Sequence, residues 1–204
     1  SSGAASGSSN TAVGSTALLF NTSGSNNTAV GYQALYNNTG SSNTCFGYQA
    51  GYTSTNGSPT AFGYQALTNN TASNNAAFGE FSMFTNTTGG NNVAVGDAAM
   101  YYNTTGASNS DFGKQAMVSN TSGSNNTGIG YQSLCSTTTG VNNVAIGYNA
   151  GLNSLGVNSI AIGENSGFTG SDNSIQLNST GATSAFQGDH SILLNATTLT
   201  TGIT

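Results

Sequence analysis

The sequence predicts an all-β fold: a repetitive parallel β-roll or β-solenoid of about twelve coils, each of 16–17 residues and two short strands. Three observations carry this. A glycine recurs every 16 or 17 residues, directly after a large apolar residue. Each copy holds two short runs separated by Asn/Thr/Gly turns. Charge is nearly absent: one Lys and six Asp or Glu make 3% of the chain, against roughly 25% in an ordinary domain.

The glycine anchors are Gly14, Gly31, Gly47, Gly63, Gly79, Gly96, Gly113, Gly130, Gly147 and Gly163. The residue before each is large and apolar, which marks a structural core series: Val13, Val30, Phe46, Phe62, Phe78, Val95, Phe112, Ile129, Ile146 and Ile162. Two degenerate copies extend it with Leu177 and Leu194, where Asn replaces the glycine, as suits a position that needs positive φ. Three residues after each anchor stands Ala or Ser. Eight after the first eight anchors stands Thr: Thr22, Thr39, Thr55, Thr71, Thr87, Thr104, Thr121 and Thr138, the expected polar ladder. The repeat divides the chain into the tail of a preceding copy (1–9), regular coils (10–170) and degenerate terminal coils (171–204).

A copy this short has no room for a strand, a helix and a return. It suits one turn of a coil whose strands pair in parallel, like with like, about 4.8 Å apart. Twelve such turns make a rod of roughly 55–60 Å. Stacking explains the missing charge, because like charges would repel at every step. Asn and Thr can instead bond to their copies above and below. Side chains alternate along a strand, so in Thr28-Ala29-Val30-Gly31 the Val points one way and the Ala and Gly the other. Both faces are apolar or glycine-lined, which reads as burial on both sides. One face fills the coil, the alternation leaving open which, and other chains are expected to cover the second.

The composition also bounds function. Disorder usually goes with low apolar content, whereas here 35% of residues are hydrophobic and sit in register. With Lys114 as the one basic residue beside His190, nucleic-acid binding is excluded on charge grounds. Titratable groups are too dilute for acid–base catalysis, so no enzyme, no cofactor and no catalytic residue are expected. Cys45 and Cys135 fall about five coils apart and read as apolar fillers, not a disulfide. No run of about 18 apolar residues reads as a membrane span, and no charged-then-apolar leader is visible. The pattern at residues 1–10 suggests a segment of a longer chain.

Asn158-Ser159-Ile160-Ala161-Ile162-Gly163 and Asn143-Val144-Ala145-Ile146-Gly147 resemble the head repeats of YadA-like trimeric autotransporter adhesins. That resemblance implies a left-handed parallel β-roll, three chains side by side, and a role in surface attachment. The copies carrying Gly-Tyr-Gln-Ala-Leu are similar to repeats of phage and giant-virus tail fibres, which often precede a cleaved chaperone domain. The resemblance spans residues 10–195. The copies here are longer than the adhesin repeat, so no ligand contacts carry over. No segment matches the adhesins' neck, stalk or anchor, or a chaperone domain.

Several positions carry site-like residue types. Glu80, Asp97 and Glu164 share the position after the anchor, where a threefold axis could gather carboxylates around a cation; a solvated surface position is the simpler reading. Asp189-His190 is a weak metal pair. Tyr32, Tyr48, Tyr64, Tyr131 and Tyr148 suit a sugar platform or a structural seam. Eleven Asn-X-Ser/Thr sequons, from Asn21 to Asn195, would be surface glycosylation sites in a suitable compartment. The expected function is a non-catalytic adhesive or structural fibre segment, extracellular, on a cell or virion surface. Its partners would be itself, as homotrimer or filament, and a host-surface glycan or protein. The alternatives are a filament stacked end to end and, more weakly, an ice-binding solenoid displaying the Thr ladder.

Overall fold

The structure, a computed structural model, describes residues 7–152, 156–167 and 172–177. Its strands are β1 (Thr11–Val13), β2 (Thr28–Val30), β3 (Asn37–Asn38), β4 (Thr44–Phe46), β5 (Thr53–Ser54), β6 (Thr60–Phe62), β7 (Ala76–Phe78), β8 (Val93–Val95), β9 (Ser110–Phe112), β10 (Thr127–Ile129), β11 (Val144–Ile146), β12 (Ile160–Ile162) and β13 (Ile175–Leu177). Eleven of them form one parallel sheet in the order β1-β2-β4-β6-β7-β8-β9-β10-β11-β12-β13. Each pairs with the next repeat in perfect register, Thr44 on Thr60, Cys45 on Ala61, Phe46 on Phe62. The chain is therefore an all-β solenoid of about ten turns, with no helix among the described residues. Leu194, at the centre of the last expected copy, lies outside the described residues.

The expectation of two strands per coil is corrected. Among the described residues only β3 and β5 form a second sheet, of two residues each. Elsewhere the second side of the coil is a run of turns. The reason is backbone conformation: Gln33 and Leu35, like their equivalents in other turns, have φ of +55° and +50°, in the left-handed region that an extended strand excludes. Hydrogen bonding between turns persists without the strand. Gln33 N–H donates back to the Ser15 carbonyl at 3.0 Å, and Leu35 N–H donates forward to the Ala50 carbonyl at 3.0 Å. Alternate residues thus bond to opposite neighbours, and the backbone stays satisfied.

The interior is thin, as a coil of this circumference requires. Its first column is the middle residue of each strand: Ala29, Ala61, Ala77, Ala94, Ala145 and Ala161, fully buried, with Cys45 and Asp111 in the same places. A second column is the Ala or Ser three after the anchor. The bulk comes from the next residue, Leu35, Leu67, Met83, Met100, Met117 and Leu134, each at most 1% exposed. Unbranched Met takes the place of Leu on three consecutive turns, Met83, Met100 and Met117, filling an irregular space at little cost. Cys45 is a filler in the Ala column and its thiol is pushed up to about 12 by burial, while Cys135 is half-buried; both are free.

Two columns of asparagine complete the interior. Asn86, Asn103 and Asn120 stack amide on amide, the Asn103 Nδ2 donating to Asn86 Oδ1 at 2.6 Å and Asn120 Nδ2 to Asn103 Oδ1 at 2.8 Å. Each also closes its own turn, as Asn103 does on the Gly106 carbonyl at 3.0 Å. The second column precedes the strands: Asn109 accepts the Asn126 backbone N–H at 2.9 Å and donates to the Gly123 carbonyl at 2.9 Å. These amides are at most 1% exposed. Buried polar groups that find partners in this way cost little and fix the register of one turn on the next.

Candidate assembly face

The series Val13, Val30, Phe46, Phe62, Phe78, Val95, Phe112, Ile129, Ile146, Ile162 and Leu177, expected as core, does not fill the coil. Every described member points outward. Val13 is 57% exposed and Leu177 45%; Phe78, Phe112, Ile129, Ile146 and Ile162 are exposed as well, and Val30, Phe46, Phe62 and Val95 are half-buried. The physical reason is size. Strand alternation gives one inward residue per strand, and the thin interior accepts Ala where Val, Ile or Phe would collide with the opposite wall. The large residues are left on the outer face of the long sheet, one above another. Phe46, Phe62 and Phe78 stack with centroids 4.7 and 5.2 Å apart. The residues two before them share that face, and in β8, β11 and β12 they are Val93, Val144 and Ile160. An unbroken apolar stripe therefore runs the length of the sheet.

The glycine after each member up to Ile162 turns the chain off the sheet. Gly31 has φ of +134°, and a Cβ there would overlap the backbone of Gly47 in the next turn. Beyond it lie the tyrosines. Tyr32, Tyr48 and Tyr64 stack nearly parallel, 5.2 and 5.0 Å apart, and Tyr131 stacks on Tyr148 at 5.3 Å. Their faces are turned to one another and their edges to solvent, which favours a packing ladder over a sugar platform, where a free ring face is needed. Gln33, Gln49 and Gln65 run beside them as a hydrogen-bonded row at 2.8 and 2.7 Å.

The tyrosine row is interrupted by Glu80, Asp97 and Lys114 on consecutive turns. Lys114 Nζ lies 2.9 Å from Asp97 Oδ2 with both side chains about half exposed. Asp97 is thus engaged by a cation of its own chain, and a pair this exposed contributes little to stability. Glu80 and Glu164 are exposed. Among the described residues no group of three His, Cys, Asp or Glu could hold a metal ion, and no helix is long and apolar enough to cross a membrane. Asp189 and His190 lie outside the described residues.

The threonines of the expected polar ladder sit at the turns. Thr71, Thr87, Thr104 and Thr121 donate their hydroxyls to the backbone carbonyl of the next threonine at 2.8–3.1 Å. Hydroxyls committed in this way are spent within the rod and do not form a free surface array. Of the sequons, Asn26, Asn56, Asn69 and Asn125 are exposed, whereas Asn86, Asn103 and Asn120 belong to the buried amide column. The recurrence of Asn seven after six of the first eight anchors, with Ser54 and Thr137 at the other two, is the signal for that column, hidden by the neighbouring Thr. Scanned against models of protein families, against curated proteins and against solved structures, the chain gives no match in any of the three.

Proposed function

We propose that the chain is a segment of an extracellular fibre, a shaft or head of the adhesin or tail-fibre kind, which assembles through its outer apolar stripe. The carrying observation is the stripe itself. It is continuous over eleven strands, holds no charged side chain, and is left uncovered by the single chain. An exposed apolar surface of that extent marks an interface, and a self-complementary column of Val, Ile and Phe suits further copies of the same chain. The adhesin-like repeats support three copies side by side, with a left-handed coil and a twelfth terminal copy. The rigid rod then serves as a spacer and display surface on a cell or virion, its partner a host-surface glycan or protein. Catalysis plays no part in this reading.

The test is the Val30→Asp variant, examined by light scattering and native mass spectrometry. Val30 lies on the outer face, so the variant is expected to keep its fold. Association is expected to weaken at least 100-fold, because each copy would bury a carboxylate at a cost of roughly 3 kcal/mol. A variant that assembles like the parent would refute burial of this face.

A further inference from the structure

One place inside the solenoid departs from the repeat on two consecutive turns. Asp111 of β9 stands where other turns have Ala, and it is fully buried. Its register partner in the next turn is Gly128, the one glycine in that column among the described residues. Ser133, from the β10 turn, holds the Ala-or-Ser position of the second column, as Ser82 and Ser166 do in their turns, and is also fully buried. The three meet. A Cβ on Gly128 would lie 3.0 Å from Ser133 Oγ, 3.1 Å from Asp111 Oδ1 and 3.1 Å from Met117 Cε. The glycine thus makes room for the carboxyl, a compensated exchange of volume between neighbouring turns. Both Asp111 oxygens and the Ser133 hydroxyl lack a hydrogen-bond partner.

No charge is near enough to balance an ionised Asp111. Its register partners are Ala94 and Gly128, and the other buried side chains of these turns are Ala99, Met100, Ala116, Met117, Ser133 and the asparagines of the two amide columns. None is titratable. Lys114 is outside, paired with Asp97. Cys45, the other ionisable group in the column, is four turns away. An isolated buried carboxylate is far costlier than the neutral acid, and the neutral acid can donate as well as accept in the gap it shares with Ser133.

We propose that Asp111, seated against Gly128 and Ser133, is an acid-stabilised joint in the rod: it packs as the neutral acid, and its ionisation loosens the turns of β8, β9 and β10. Burial holds the carboxyl well above the usual carboxylate range. The Met100 backbone N–H acts in the opposite direction, and it is already donated to the Ala116 carbonyl at 3.0 Å. The direction of the pH effect follows. Asp111's contribution is fully present below the unfolded chain's value of about 3.9. Above it, the folding equilibrium loses about a factor of ten per pH unit until the raised folded value is reached. The rod is therefore tighter in acid, opposite to the usual acid denaturation.

The test compares urea unfolding of the parent and of the double variant Asp111→Ala/Gly128→Ala between pH 4 and pH 8. The variant restores the residues that other turns carry, and is expected to fold. The parent's folding equilibrium should fall at least about tenfold more than the variant's over this range. Parallel curves would overturn the proposal. Carbon NMR of the parent's Asp111 carboxyl gives an independent reading, since an ionised carboxylate in the folded rod at pH 5 would overturn it as well.

Discussion

Replacing Gly96 with alanine is expected to lower the stability of the solenoid by about 3 kcal/mol or more. Gly96 has φ of +143°, and a Cβ there would overlap the Gly113 carbonyl oxygen and lie 2.9 Å from Lys114 N. Both obstacles are backbone of the next turn, so no side chain can swing aside. Either Gly96 gives up its conformation or the two turns separate and their hydrogen bonds lengthen. In a chain of this length the loss corresponds to a fall of roughly 6–12 °C in Tm at fixed protein concentration. Gly90→Ala is the control. Its nearest neighbour would be the Ser73 carbonyl at 3.1 Å and its φ is not positive, so a change under about 1 kcal/mol is expected. Equal effects at the two sites would argue against the close approach of successive turns.

Asn103→Ala is expected to be comparably damaging, by about 3 kcal/mol or more. Asn103 donates to Asn86 and to the Gly106 carbonyl and accepts from Asn120. Alanine would strand Asn86 Oδ1 and leave an Asn120 N–H without its acceptor, although the Gly106 carbonyl keeps Asn92 Nδ2 and the Asn120 amide keeps the Gly123 carbonyl. Each buried group left unsatisfied costs about 1–3 kcal/mol. Thr104→Val removes one hydroxyl bond of 2.9 Å to the Thr121 carbonyl at a half-buried site and should cost about 1 kcal/mol. The midpoint of urea unfolding measures both. A double variant with Asn86→Ala should cost less than the two single losses added together, because the amides bond to each other. Strict additivity would mean that the column is not coupled.

These expectations show what was legible in the sequence. The spacing of Gly31, Gly47 and Gly63 yielded the parallel stack and its register, because a glycine needed at each close approach recurs once per turn. The Thr-to-carbonyl bonds follow from the same spacing. The orientation of the strand was not legible. Thr-Ala-Val-Gly is apolar on both faces, and only the width of the closed coil decides that Ala29 enters and Val30 stays out. The second strand failed for another reason: Gln33 and Leu35 adopt left-handed φ in a segment whose composition reads as extended, and the inter-turn bonds that offset this strain are non-local. Asp111 escaped notice because a lone Asp in a polar-looking chain reads as surface, and its burial depends on Gly128, one repeat away.

Both the fibre and its acid-stabilised joint require that each repeat add one strand spacing of length. Spin labels at exposed turn residues test this directly. With Cys135 replaced by Ser, paired labels at Thr22 and Thr138, Thr39 and Thr138, and Thr55 and Thr138 are separated by seven, six and five repeats. In spin-diluted samples, the distances should fall in equal steps of about 4.8 Å, near 34, 29 and 24 Å. Unequal steps, or three distances that do not order with the number of repeats between them, would contradict the solenoid.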